Sequence, residues 1–202
     1  EYSGIKTKTA VLYNACEAVP PVDFSEKTKT IIMAAYFNDN KAPDLLFKAW
    51  QTLKMRYPEW EVVMLGNGEV ERFMRISDDM SLYDAVTFTG YVTGKEKEDY
   101  FRKASIYCMC SYEEGFPMVV LESWAYGICV VTTPVGGLPD VIEDGRNCLT
   151  FDFGDWQTLA ERLEYLILNE EKRQEMARYS REFVMERFSL QSIDKELQRI
   201  YK

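Results

Sequence analysis

The sequence predicts an α/β fold: a doubly wound, Rossmann-like parallel sheet of about six strands, with helices on both faces and a C-terminal helical extension. Three observations carry that expectation. From residue 30 to residue 151, short apolar runs alternate with amphipathic segments of helical length. The apolar runs are nearly uninterrupted, as suits strands covered on both faces. Loops rich in Gly, Asn and Asp punctuate the alternation.

The elements follow in order. "TIIMAAYF" (30–37) is the first strand, closed by Asn38-Asp39-Asn40. "APDLLFKAWQTLKMRY" (42–57) sets Leu45, Leu46, Ala49, Leu53 and Met55 near helical spacing, and Pro43 fits a helix's first turn. "WEVVMLG" (60–66) is a strand ending in Gly66-Asn67-Gly68, and "EVERFMRI" (69–76) a helix. "AVTFTG" (85–90), "SIYCMC" (105–110), "ICVVTT" (128–133) and "NCLTF" (147–151) are further strands. Between them lie helices over "KEKEDYFRKA" (95–104), "PMVVLESWAY" (117–126, Pro117 in the first turn) and "LPDVIED" (138–144), the last stopped by Gly145. Three amphipathic helices close the chain over 156–167, 170–188 and 189–201, the third capped by Ser189. Residues 1–29 differ in character: "TAVLYNA" (9–15) reads as a strand, and the Pro20-Pro21 segment with its polar tail as a linker.

Composition narrows the function. The chain has 202 residues, 47% hydrophobic and 28% charged, which suits a packed core and excludes a disordered chain. A formal charge of −9 disfavours nucleic acid and anionic lipid as partners of the whole surface. A phosphorylated ligand then needs a local positive site. Histidine is absent, which removes Ser-His-Asp and Cys-His catalysis and His-ligated zinc. The five cysteines are odd in number and form no C-x-x-C pair, so buried thiols in a reducing cytoplasm are expected rather than a disulfide framework. The sequence begins with Glu1, with no basic-then-apolar leader and no bilayer-length apolar run, so a soluble, cytoplasmic molecule is expected.

In an open α/β sheet, ligands bind beyond the carboxyl ends of the strands. The loops there gather Lys41, Gly66 to Gly68, Gly90 to Thr93, Glu113 to Pro117 and Gly136-Gly137. The 111–117 loop feeds a helix N-terminus, whose unpaired amides and positive dipole end make an anion site. Pro117 has no N–H, so the donors are neighbours such as Phe116, Met118 and Val119. Gly115 allows a phosphate to come close, and Lys41 adds a charge from another loop. Glu122, in the helix's second turn, interrupts an apolar run. A half-buried carboxylate without a partner is costly, and a ribose diol would supply two donors. Glu114 would then face hydroxyls or developing positive charge beyond the phosphates. The spacing thus reads as one acid for each sugar of a nucleotide sugar. The plainer alternative is two solvated acids spaced by chance, with Lys41 a solvated loop lysine. Gly136 and Gly137 fit turn geometry or a ligand-facing role. Tyr91 and Glu113 read as surface residues, Met64, Met109 and Met118 as core, and the 95–99 run as a solvated helix face.

The segment "SYEEGFPMVVLESWAYGICVVTTPVGGLPDVIEDGRNCL" resembles the donor-binding segment of retaining family 4 glycosyltransferases. The likeness rests on E-G-F-P, the second Glu of E-x7-E, A-x-G, G-G-x-P and I-x-D-G. It extends upstream through "KAPDLLFKAW", "VVMLGNGE" and "VTFTGYV" and downstream to "ERFSLQSI", about residues 9 to 201 in all. The resemblance implies one half of a GT-B fold, with residues 1–29 as interdomain linker and edge of the other domain. It makes 30–187 the nucleotide-sugar-binding domain and 188–202 a helix that crosses back. The acceptor-binding N-terminal half would be a separate or absent part, and any membrane contact would belong to it. By the same resemblance, Glu114 and Lys41 are catalytic: Glu114 holds donor-sugar hydroxyls and Lys41 neutralises the diphosphate. Glu122 holds the ribose, while Gly66, Gly115, Phe116, Met118, Val119 and backbone near Val92 complete the donor site. The donor is a nucleoside-diphosphate sugar. No cofactor or metal is implied, Lys41 and the helix dipole taking the cation's part. The transfer would retain configuration and serve polysaccharide or glycolipid synthesis.

One departure matters. Ala34 and Ala35 stand where the family usually has a Gly-Arg pair, whose Arg also grips the diphosphate. Asp140 stands where Glu is common after G-G-x-P. The rival readings are therefore a degenerate, non-catalytic binding or scaffold domain of this fold, and another enzyme on the same sheet, such as an epimerase or a phosphorylase. The E-G-F-P…E segment argues against the latter.

Overall fold

The computed structural model describes residues 10–201. Strands β1 (Thr30–Ala34), β2 (Glu61–Leu65), β3 (Val86–Gly90), β4 (Ile106–Met109), β5 (Cys129–Thr132) and β6 (Cys148–Thr150) form one parallel sheet, ordered β3-β2-β1-β4-β5-β6. The order runs outward one way from β1 and the other way from β4. The sheet is therefore doubly wound, with its switch point between those two strands. Ile31 lies opposite both Val62 and Ile106, which aligns the central strands and brings their carboxyl ends to one edge.

The connecting helices are α1 (Pro43–Leu53), α2 (Val70–Asp79), α3 (Gly94–Lys103) and α4 (Met118–Ala125). Helices α5 (Trp156–Leu168), α6 (Glu170–Phe188) and α7 (Leu190–Ile200) follow β6. Because side chains alternate along a strand, each apolar run serves both faces. Ile31, Met33, Met64 and Val131 pack with Trp50 of α1 and Leu163 of α5. Ile32, Val63, Tyr107 and Val130 pack with Phe101 of α3, Trp124 of α4 and Val184 of α6. Met64 and Met109 are buried, as the sequence predicted. Ser189 caps α7 by accepting from the Ser192 amide. Among the described residues, no helix is long and apolar enough to cross a membrane.

Three local expectations need correction. Residues 10–15 form no strand, and Thr9 lies outside the described residues. Just after the segment, Cys16 forms a bridge with Ser189, and its amide donates to the Phe188 carbonyl at the end of α6 at 2.6 Å. The 138–144 helix shrinks to a single 3-10 turn, Leu138–Asp140. The cause is buried Asn147, which accepts from the Glu143 amide and donates to the Val141 carbonyl, replacing the bonds a helix would make. Pro117 is the extended residue before α4, with ψ 98°, rather than part of its first turn. The polar segment expected to be a linker packs on the domain: Val22 and Phe24 cover Gly127, and Arg181 donates to the Pro20 carbonyl.

Lys27 fastens that strap. Its Nζ donates to the carbonyls of Phe101 and Tyr126, at the C-terminal ends of α3 and α4. Burial, with Arg102 adding repulsion, pulls its pKa down to about 7. A depressed lysine pKa means that the folded state binds fewer protons than the unfolded one between about pH 7 and the ordinary value of 10.5. The penalty is thus fully present below about pH 7 and fades as pH rises toward 10.5. The melting temperature of the wild type relative to Lys27→Met is therefore expected to rise by several degrees between pH 6.5 and pH 9. A flat difference would mean that the amine is already neutral, or well hydrated, across that range.

All five cysteines are free and buried. Burial raises the Cys16 thiol to about 11, with Glu122 and Glu17 adding to it, and the Cys129 thiol to about 12. These thiols pack as small apolar groups and are poor nucleophiles.

Candidate functional site

A cleft of about 610 Å³ opens at the carboxyl edge of the sheet, across the switch point. Ala35 and Tyr36 after β1, Gly66 and Asn67 after β2, and Tyr91 and Val92 after β3 form its floor and rim. Met118, Val119 and Glu122 of α4 form its wall, with Lys97 of α3 across from them. Five of the residues singled out in the sequence thus share one cavity: Gly66, Val92, Met118, Val119 and Glu122. Met118, expected in the core, is half-buried there, and Tyr91 is exposed at the rim.

Lys41, Glu114, Gly115 and Phe116 lie outside the cleft lining, Lys41 on the loop from β1 to α1 and the other three on the loop from β4 to α4. Lys41 Nζ is 2.5 Å from Glu114 Oε1, and Ser111 Oγ donates to the same oxygen at 2.6 Å. Glu114 Oε2 has no partner among the described residues. The two loops are held together by Asn40. Its carbonyl accepts from the Tyr112 amide at 2.8 Å, and its side chain both accepts from and donates to the backbone of Glu113. Lys41 is set by Asn38, which accepts from its amide, and by Ala42, held in the left-handed region at φ 44°.

Glu122 corrects the sequence argument. In the sequence its carboxylate has no evident protein partner, but Lys97 Nζ lies 2.7 Å from its Oε1 and 2.8 Å from its Oε2. Lys97 belongs to the 95–99 run expected to be a solvated face. Its amphipathic position gave no cue, because the contact runs between two helices far apart in sequence.

The backbone completes the site. The amides of Glu114, Gly115, Phe116, Met118 and Val119 have no acceptor among the described residues. They surround the N-terminus of α4, which carries the positive dipole end and no side-chain cap. The Phe116 ring faces away, packed 5.0 Å from Tyr13 and 6.0 Å from Phe188, so only its backbone is available to a ligand. A Cβ on Gly136 would stand 2.4 Å from the carbonyl oxygens of both Glu114 and Gly115. The Gly137 amide donates to the Gly115 carbonyl at 2.7 Å. These two glycines therefore buttress the loop from behind. Gly66 also has a packing role, since its amide is bonded to the Gly90 carbonyl and its α-carbon presses on Ala35.

The geometry offers paired acids, each held by a lysine, on either side of a ring of unpaired amides. Residues 17–183 match the family described as glycosyl transferases group 1. The chain belongs to that family. An uncharacterized glycosyltransferase of Haemophilus influenzae is 28% identical over 172 residues, covering 84% of this chain and 48% of that protein. The chain thus spans about half the length of the curated relatives it matches. The HepE protein of Anabaena, solved in complex with UDP-glucose, superposes with a TM-score of 0.81 at 19% identity, over 95% of this chain and 57% of HepE. The C-terminal domain of a group 1 glycosyl transferase (LpcC) from Francisella tularensis superposes with a TM-score of 0.74 at 21% identity. It shares the fold over 80% of this chain and 86% of that domain.

Proposed function

We propose that this chain is the donor-binding half of a retaining glycosyltransferase of GT-B fold, acting on a nucleoside-diphosphate sugar. The observation that carries the reading is the ring of unpaired amides at the N-terminus of α4, flanked by Glu114 and Glu122. The diphosphate occupies the amides around Gly115, with Lys41 at its end. Glu122 accepts from the ribose diol, the base lies against the Val92 segment, and Glu114 Oε2 accepts from hydroxyls of the transferred sugar. In the reaction the bond from the sugar's anomeric carbon to the diphosphate oxygen breaks. The acceptor oxygen bonds to that carbon on the same face, and its proton passes to the departing diphosphate. The acceptor, a glycan or a lipid-linked sugar, is held by a partner N-terminal half that also makes any membrane contact. The setting is cytoplasmic. No metal takes part in the proposed reaction, Lys41 and the α4 dipole supplying the positive charge.

Calorimetric titration with UDP, GDP and ADP tests the reading. One of the three is expected to bind, and Glu122→Ala and Lys41→Ala each to weaken it about tenfold or more. Failure of all three to bind this chain and the full-length protein at millimolar concentration would overturn it. Ala35, in place of the family's arginine, favours a second reading as a non-catalytic nucleotide-sugar-binding domain. Sugar transfer by the full-length protein separates the two.

A further inference from the structure

Only two residues lining the large cleft carry charge among the described residues, Lys97 and Glu122, and they are bonded to each other. Lys97 occupies an adverse position. It lies at the end of α3's first turn, where the helix dipole is positive and a cation is disfavoured. It is also half-buried, with its side chain 36% exposed. Two contacts fix it there: both oxygens of Glu122, and the face of buried Phe101, whose centroid lies 5.1 Å from Nζ.

We propose that Lys97 is the positioning residue that makes Glu122 selective for a ribose over a deoxyribose. This rests on the donor-half reading above. A carboxylate has about four acceptor positions, and an ammonium has three donors. By engaging both oxygens, Lys97 fixes the plane of the carboxylate and leaves one acceptor position on each oxygen for the 2′ and 3′ hydroxyls of the nucleotide. The pairing also cancels the charge of Glu122. An unpaired carboxylate would repel a diphosphate in a cleft that holds no other cation, Ala35 standing on its floor. Lys97 thus lets an acid read a diol beside an anionic group, without itself touching the nucleotide.

The test compares the best-binding of UDP, GDP and ADP with its 2′-deoxy analogue, by calorimetry on this chain. Wild type is expected to prefer the ribonucleotide by about tenfold or more, the value of a hydrogen bond to a charged group. Lys97→Met keeps the hydrocarbon stem over Phe101 and is expected to reduce that preference to about threefold or less, chiefly by weakening the ribonucleotide. Lys97→Arg, which retains a cation able to span both oxygens, is expected to restore it. Lys97→Gln serves if the Met variant fails to fold. An unchanged ribose preference in the Met or Gln variant overturns the proposal, because Lys97 would then be a structural cation alone. Tighter binding of both nucleotides overturns it as well, because the lysine would be competing with the ligand. If neither this chain nor the full-length protein binds a nucleotide, the donor-half reading fails first and this inference falls with it.

Discussion

Gly66→Ala is expected to lower the melting temperature by about 10 °C or more, whereas Gly115→Ala leaves it within about 2 °C and weakens nucleotide binding at least about tenfold. The two glycines border the same site, and their surroundings are opposite. Gly66 has φ +144°, and a Cβ there would stand 1.9 Å from the Ala35 carbonyl oxygen. Neither strand end can yield. The Ala35 amide is bonded to the Leu65 carbonyl at 3.0 Å, and the Gly66 amide to the Gly90 carbonyl at 2.8 Å. A methyl group therefore has to break β1–β2–β3 pairing at the cleft floor, a cost of about 3 kcal/mol or more. Around Gly115, nothing lies within 4 Å of the added carbon, and its φ is outside the left-handed region. The fold gains nothing from that glycine. Its use is the empty space, which a phosphate approaching the loop amides would fill. Thermal melting and titration of both variants separate the cases. Undiminished nucleotide affinity in Gly115→Ala would show that the diphosphate lies elsewhere.

The sheet was legible because its signal is local and repeated. Each of the six strands is a short apolar run, and a crossover helix between successive runs admits few topologies. The N-terminus of α4 was legible for a similar reason, since a Gly-Pro-bearing loop ahead of an apolar run announces a helix start. The interactions that complete the site are non-local, and there the reading fell short. Lys97 meets Glu122 across 25 residues, and Asn40 clamps Glu113 across 73. No periodicity encodes such pairs. Side chains of these types look equally at home in water, so composition gives no hint either. The 138–144 segment misled for the same reason. Its apolar spacing suits a helix, but one buried side chain, Asn147, captures the backbone that a helix would use. Nor does the polar stretch before β1 announce its packing, in which Lys27 joins two helix ends.

In the full-length protein, Glu114→Gln is expected to reduce sugar transfer by about 10²- to 10³-fold while nucleotide affinity holds or rises. The asymmetry follows from the Lys41 pair. Glu114 offsets the charge of Lys41 through a 2.5 Å contact, with both side chains largely buried, at 15% and 23% exposure. Glutamine removes that hold. The ammonium is then free to face a diphosphate, so binding of the nucleotide product does not suffer. Transfer does. In the proposed reaction, positive charge grows on the sugar ring as the bond to the diphosphate breaks, and the free oxygen of Glu114 would meet it. A neutral amide cannot supply that stabilisation, and one of its termini presents donors where the sugar hydroxyls need an acceptor. Lys41→Met is the counterpart: it strips charge from the leaving group and leaves Glu114 without a cation beside the phosphates, so affinity and turnover fall together. Measuring nucleotide Kd and kcat for both variants distinguishes the roles. If Glu114→Gln loses affinity and rate in equal proportion, the carboxylate merely fixes the 111–117 loop, and the rate-determining charge is met by some other group.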